Sequence, residues 1–222
     1  MLQIVDQSGP IWTVECDGCD FLAGLPAREV DASMRNVLVV ERRRKSSAIP
    51  AELRGLPLPG GHGGAEVAAR SWARGERRGL ALTGSVGVGK SYMAAAAAWA
   101  RMEHGPLRWV FVPRLFNRLA LAFDNEQRRE ALDLLVQTGG LVLDDIDKTR
   151  PTENAAEQLL CAIDERVTAG APLLVTTNLT LSALADRFPD PYGEAIVSRL
   201  VGYCEVFAIE GPDRRLEAAV AS

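Results

Sequence analysis

The sequence predicts an α/β domain, a parallel sheet with helices on both faces, and three observations predict it. Short apolar runs recur at Leu80–Thr83, Trp109–Val112, Leu141–Asp144, Leu173–Thr176 and Cys204–Ile209; stretches with helical spacing separate them; and the first run passes into a glycine-rich loop that opens an alanine-rich helix. A length of 222 residues, 47% of them hydrophobic, is enough for one such domain with a buried core and a short extension.

In chain order, residues 1 to 48 differ from the rest. Ile11-Trp12-Thr13-Val14-Glu15-Cys16 alternates as a strand does, and Asn36-Val37-Leu38-Val39-Val40 reads as its partner, so a small β-type appendage is expected there. Within it, Cys16-Asp17-Gly18-Cys19 has the spacing of half a zinc site; a tetrahedral site needs four ligands, and the alternative is a pair of reduced cysteines in a turn. The run Arg42-Arg43-Arg44-Lys45 reads as a solvated charged stretch, with phosphate contact as the alternative. Between Pro50 and Gly64, three prolines and five glycines break regular structure and make a connector, which puts the boundary near residue 48 and gives units 1–48 and 49–222. His62 in that connector reads as a solvated loop residue. Ala65 to Arg74 follows as a helix. Leu115, Leu119 and Phe123, and later Ala156, Leu159, Leu160, Ile163 and Val167, fall at helical spacing and are core faces.

The loop carries the chemistry. Gly84-Ser85-Val86-Gly87-Val88-Gly89-Lys90-Ser91 spells G-x-x-x-x-G-K-S, with Tyr92 opening the helix that runs to Arg101. Glycines let successive backbone N–H groups point at a β-phosphate, Lys90 neutralises the β and γ oxygens, and Ser91 offers its hydroxyl to Mg²⁺. The N-terminal dipole of the helix faces the same anion. A nucleoside triphosphate is the expected ligand. A magnesium ion held through phosphates and Ser91 needs a carboxylate from the end of a neighbouring strand. Leu141-Val142-Leu143-Asp144-Asp145-Ile146-Asp147 supplies it, with Asp144 at the strand tip as the metal partner and Asp145 placed to orient or deprotonate an attacking water. Asp147 reads as a helix-capping or solvated residue. At the end of the next run, Asn178 is placed to reach a γ-phosphate or the lytic water, unless it is only a turn residue. Arg199, beside apolar Ile196, Val197 and Leu200, is either a structural ion-pair partner or a finger for a neighbour's site.

Composition narrows the function classes. A net charge of −4 from 25 basic and 29 acidic residues gives no global basic field, so any nucleic-acid contact must be local. Four scattered cysteines fit a reducing compartment, and the start of the chain lacks a positive region followed by an apolar core; the cytoplasm is expected and no membrane role is indicated.

Ile49-Pro50 ahead of the loop, Leu143-Asp144-Asp145-Ile146, Asp164-Glu165-Arg166, Thr176-Thr177-Asn178-Leu179, Ser198-Arg199-Leu200 and Gly211-Pro212-Asp213-Arg214-Arg215 together resemble the DnaC/DnaI-type replicative helicase loaders. The related IstB-like transposition ATPases share much of this pattern. The resemblance spans residues 49 to 215 and implies an AAA+ ATPase of the P-loop class without a full helical lid. It implies that Asp144 is the metal-site acid, Asp145 the catalytic acid, Asn178 the first sensor, and Arg199 a finger supplied to an adjacent subunit of a self-assembly. Arg214 or Arg215 would be the second sensor. It further implies ATP and Mg²⁺ as ligands, a replicative DNA helicase and single-stranded DNA as partners, with Arg114, Arg118, Arg128 and Arg129 facing the DNA, and a zinc-binding or partner-binding appendage. The alternative is an IstB-like helper that binds duplex DNA and recruits a transposase. Ala195 and Asp147 depart from the pattern, the first standing where a basic residue is common and the second where a glycine is. A small-molecule kinase would carry an arginine-rich lid motif, which is not visible, and an adaptor without hydrolysis would not need the Asp144-Asp145 pair.

Overall fold

A computed structural model describes residues 2–6, 11–16, 19–26, 32–122, 124–136, 139–214 and 216, and the chain divides into two compact units, Met1–Ser47 and Ala48–Ser222. The first unit holds β1 (Leu2–Asp6), β2 (Ile11–Cys16), β3 (Cys19–Pro26) and helix α1 (Ala32–Ser46). The strands form an antiparallel sheet in the order β1-β2-β3, with Ile11 opposite Pro26 and Cys16 opposite Cys19 across the second hairpin. Asn36–Val40, expected as the partner strand of Ile11–Cys16, lies instead inside α1. The partners of β2 are β1 and β3, its neighbours in sequence, which pair at a smaller loop-closure cost than a segment about twenty residues away. Helix formers on both sides of the valines decide the rest, and Arg43, Arg44 and Lys45 occupy the last turn, where the carbonyl end of the helix favours cations. The basic run is therefore the end of a helix, with Arg44 paired to Glu41 at 2.8 Å.

The second unit begins with Ile49, fully buried, and a short 3-10 turn at Ala51–Leu53. It continues through α2 (Gly63–Ala73), β4 (Gly79–Thr83), α3 (Lys90–Arg101), β5 (Leu107–Phe111), α4 (Val112–Leu121), α5 (Asn125–Val136), β6 (Gly140–Asp144), α6 (Glu153–Thr168), β7 (Leu173–Thr177), α7 (Leu181–Ala185), α8 (Tyr192–Tyr203) and β8 (Cys204–Ala208). The five strands are parallel in the order β5-β6-β7-β4-β8. Helices cover both faces, as the apolar pattern requires. Strand alternation sends Leu80, Leu82, Val142 and Leu174 to one face, where they meet Trp72 of α2 and Met93, Ala94 and Ala97 of α3. Ala81, Leu141, Leu143, Leu173 and Val175 face the other side and pack on Leu115, Leu159, Ile163, Ile196 and Leu200 from α4, α6 and α8. The alanine run Ala94–Ala98 is buried, and its small side chains let α3 approach the sheet closely. Leu115, Leu119, Ala156, Leu159 and Ile163 are core, as is Phe116, whereas Phe123 lies outside the described residues.

Arg166 on α6 is an internal clamp. Only 2% exposed, it donates to the carbonyl oxygens of Leu135 (3.0 Å), Gly139 (2.8 Å) and Pro172 (3.0 Å), tying the end of α5 to the starts of β6 and β7. Burial draws its pKa down to about 10, so it remains charged at neutral pH. Among the described residues, no helix is long and apolar enough to cross a membrane.

Candidate active site

In an open parallel sheet the crevice lies at the carboxyl ends of the strands, and the predicted chemistry collects there. β4 ends in the glycine-rich loop, which turns into α3 with Gly89 in the left-handed region at the helix start. Gly84 (φ 138) and Gly87 (φ 81) are required twice over: L side chains avoid this backbone, and a Cβ would strike the Ile209 carbonyl at the first and the Asp213 carboxylate at the second. Val88 is buried and anchors the loop in the core, while Val86 stands exposed at the tip.

Lys90 is 5% exposed, and its ammonium donates to the carbonyl oxygens of Gly84 and Ser85 (2.7 Å each) and to Oδ1 of Asn178 (2.9 Å). Burial lowers its pKa, and the carboxylates of Asp145, Asp147 and Asp144 oppose that shift. Ser91, one residue on, donates its hydroxyl to Oδ1 of Asp144 at 2.8 Å. The strand carrying Asp144 is not adjacent to the loop strand: β7 lies between β4 and β6. Thr176, on the strand between them, binds the acid side. Its hydroxyl donates to Oδ1 of Asp144 (2.7 Å) and accepts from the Asp145 amide (2.9 Å). Burial pushes the Asp144 carboxyl up, and the hydrogen bonds from Thr176 and Ser91 counter only part of that rise. Asp145 adopts a left-handed conformation (φ 56), and its Oδ2 pairs with Lys148 at 2.5 Å.

Asp147 is neither a helix cap nor a solvated residue. It is 7% exposed, with Oδ1 accepting from the Asn178 amide (2.8 Å) and Oδ2 from Nδ2 of Asn178 (3.0 Å). Its own carbonyl accepts from Nε of Arg187 (2.9 Å). Although burial works the other way, the bonds from Asn178 and Thr177 hold its carboxyl below the usual range, so it is ionised.

A cleft of about 510 Å³ opens above these groups, bounded by Gly87, Lys90, Ser91, Tyr92, Asp145, Asn178 and Arg214. Arg214 reaches it from the end of the chain; its amide donates to the Gly87 carbonyl (3.1 Å) and Nη2 lies 2.7 Å from Nε2 of His62. His62 thus contacts Arg214 through an exposed hydrogen bond beside the site. Arg215 lies outside the described residues. Arg199 does not line this cleft: it stands on α8, half exposed, with Nε donating to Asp164 at 2.6 Å. A second groove of about 830 Å³ runs beside β5, with Arg108, Arg114 and Arg118 facing Glu130 and Asp133, and it reaches Asp144. Cys16 and Cys19 belong to the other unit, and Asp17 and Gly18 between them lie outside the described residues. Among the described residues, no group of three or more potential metal ligands forms.

Thr176, Asp147 and Lys148 are site residues to which the sequence alone assigns no role in the cleft. Thr176 sits inside the Thr176-Thr177-Asn178-Leu179 motif and Asp147 one residue past Leu143-Asp144-Asp145-Ile146; only the strand order shows what they touch.

Comparison with known proteins agrees with this geometry. The chain is 30% identical over 132 residues to the ATP-binding protein of insertion sequence IS1162 from Pseudomonas fluorescens, covering 57% of each chain. It is 28% identical over 117 residues to the replicative helicase loader DnaI of Bacillus subtilis, which covers 51% of this chain and 37% of that protein. The chain thus spans little more than half the length of the insertion-sequence relatives it matches. A crystal structure of DnaI superposes with a TM-score of 0.64 at 23% identity, covering 73% of this chain and 95% of that one, and shares the P-loop AAA+ fold. A model of the IstB-like ATP binding proteins matches residues 65–222, well over half of the sequence, and the chain belongs to that family.

Proposed function

We propose that this protein binds and hydrolyses ATP with Mg²⁺ and uses its nucleotide state to deliver a replicative DNA helicase to single-stranded DNA in the cytoplasm. The observation that carries the reading is the convergence of Lys90, Ser91 and Asn178 on one cleft, with Asp144 hydrogen-bonded to Ser91 beneath it. The donor set suits a magnesium nucleotide: Ser91 and Asp144 offer hard oxygen ligands that already lie 2.8 Å apart, beside a glycine cradle and a buried ammonium. When bound, Mg²⁺ neutralises charge on the β- and γ-phosphates. Lys90 and the loop amides hold the same oxygens. Asp145, once released from Lys148, orients the attacking water or takes its proton, and the Asn178 amide donates to the γ-phosphate or to that water. Arg199 from a neighbouring copy completes the site, a contribution worth roughly 10³- to 10⁵-fold in comparable enzymes. The groove with Arg108, Arg114 and Arg118 contacts the nucleic-acid backbone, and the Met1–Ser47 unit contacts the helicase.

Recruitment of a transposase on duplex DNA is a second reading, favoured by the matches to insertion-sequence ATP-binding proteins. Pull-downs with a hexameric helicase and with a transposase, each with and without ATP, separate the two. Lys90→Ala abolishes tight binding of a fluorescent ATP analogue; unchanged affinity refutes the site. Arg199→Ala leaves that affinity intact and removes the rise of turnover per molecule with protein concentration. Turnover equal to wild type at every concentration rules out a finger acting between copies.

A further inference from the structure

The amide of Asn178 is held at both ends. Lys90 donates to its oxygen at 2.9 Å, while the Asp147 carboxylate accepts from its nitrogen at 3.0 Å and from its backbone N–H at 2.8 Å. An asparagine side chain is nearly symmetric in shape, and only its partners decide which end is donor and which acceptor. Here an ammonium on one side and a carboxylate on the other leave a single arrangement. The oxygen turns to Lys90 and one amide hydrogen to Asp147, and the second amide hydrogen has no partner among the described residues. Asn178 lines the nucleotide cleft, so that hydrogen is the one available to a bound anion or water. Asp147 is 7% exposed, and Nε of Arg187 holds its carbonyl, so the carboxylate is fixed from behind as well.

We infer that Asp147 is a positioning residue for ATP hydrolysis: it sets the polarity of the Asn178 amide so that a donor, and not the amide oxygen, faces the γ-phosphate. The inference rests on the proposed ATPase reading. A backbone group cannot do this work, because only a side-chain carboxylate grips the amide and the main chain of the same residue together. Without it Lys90 alone holds the amide, by its oxygen; once Lys90 turns to a bound phosphate the side chain is free to present that oxygen to the anion, and the site loses a transition-state contact while the phosphate cradle stays whole.

Three variants of the full chain test this. Asp147→Asn keeps an acceptor for the Asn178 backbone N–H but faces the Asn178 amide nitrogen with another amide nitrogen. The expected result is kcat lowered at least tenfold, with affinity for a fluorescent ATP analogue within threefold of wild type. The double exchange Asp147→Asn with Asn178→Asp rebuilds the contact with donor and acceptor swapped, since the carboxylate introduced at position 178 then accepts from both position 147 and Lys90. It restores the urea midpoint lost in the single variant yet leaves kcat low, because no donor faces the cleft. A purely structural role for Asp147 requires the fall in kcat of Asp147→Asn to match its loss of folded protein, with turnover per folded molecule within twofold of wild type, and that result overturns the inference. So does a kcat for Asp147→Asn within twofold of wild type while Lys90→Ala is inactive. Turnover that survives Lys90→Ala removes the ATPase reading itself, and this inference with it.

Discussion

Thr176→Val deletes one oxygen from the floor of the site and leaves the side chain nearly the same shape. The residue is fully buried, and its hydroxyl serves two groups at once: it donates to Asp144 at 2.7 Å and accepts from the Asp145 amide at 2.9 Å. Valine strands a buried N–H, which costs about 1–3 kcal/mol, and withdraws a hydrogen bond to a charged acceptor, which contributes about 1.5–3 kcal/mol. The sum, about 2.5 to 6 kcal/mol, is a large share of the roughly 5–15 kcal/mol that holds a domain together. Urea unfolding of the full chain at pH 7 measures it as a midpoint lowered by more than about 1 M at unchanged slope. Thr176→Ser is the control, since it keeps both bonds and gives up one methyl, about 1 kcal/mol. The sign with pH is fixed as well. Burial raises the Asp144 pKa in the folded protein, so stability associated with that group is present below the unfolded value near about 4 and is lost as pH rises through the folded value. Thr176 opposes that rise, and the gap between the valine and serine variants therefore widens from acid toward neutral pH. A valine variant within about 1 kcal/mol of the serine variant at pH 7 refutes the bridging role.

Arg166→Met leaves the carbonyl oxygens of Leu135, Gly139 and Pro172 without their shared donor and lowers stability by about 3 kcal/mol or more, read from the same urea midpoints; a loss under about 1 kcal/mol rules out the clamp. Burial pushes the Cys204 thiol up to about 12, whereas Cys161 is exposed. Iodoacetamide at pH 8 followed by peptide mass mapping should therefore modify Cys161 in the native protein and Cys204 only after unfolding. Equal labelling of the two in native protein contradicts the packing of β8.

Much of the core was legible because one physical pattern wrote it. Apolar runs of five residues, interrupted by helical spacing, can be buried only as central strands, and Gly79–Thr83, Gly140–Asp144 and Leu173–Thr177 are buried throughout. The loop was legible for a different reason: the glycines, Lys90 and Ser91 are consecutive, so their joint geometry is local. Asn36–Val40 failed because a valine-rich stretch fits either state, and the residues around it, not the valines, chose the helix. The His62 contact was not legible because a glycine-rich connector gives no hint of what returns to meet it, and Arg214 arrives from 152 residues away.

The harder part of the site follows from strand order, and that order explains why the two conspicuous motifs are not sufficient. With β7 between β4 and β6, the loop strand and the acid strand do not pair, and the two motifs touch through the start of α3, where Ser91 donates to Asp144 at 2.8 Å. What projects from the end of β7 on the α3 side adds a further contact to each half. Alternation determines which residues those are: Leu174 faces α3, so Thr176 and then Asn178 continue on that side, while Val175 and Thr177 turn away. The same parity carries Val142 to Asp144 on the next strand. Thr176 is thereby set against Asp144, and Asn178 against Lys90. The middle strand thus reinforces, through Thr176 and the Asn178 that follows it, a coupling that Ser91 and Asp144 make directly. A change at Asn178 reaches Lys90 and Asp147 together, whereas one at Thr176 begins at the acid.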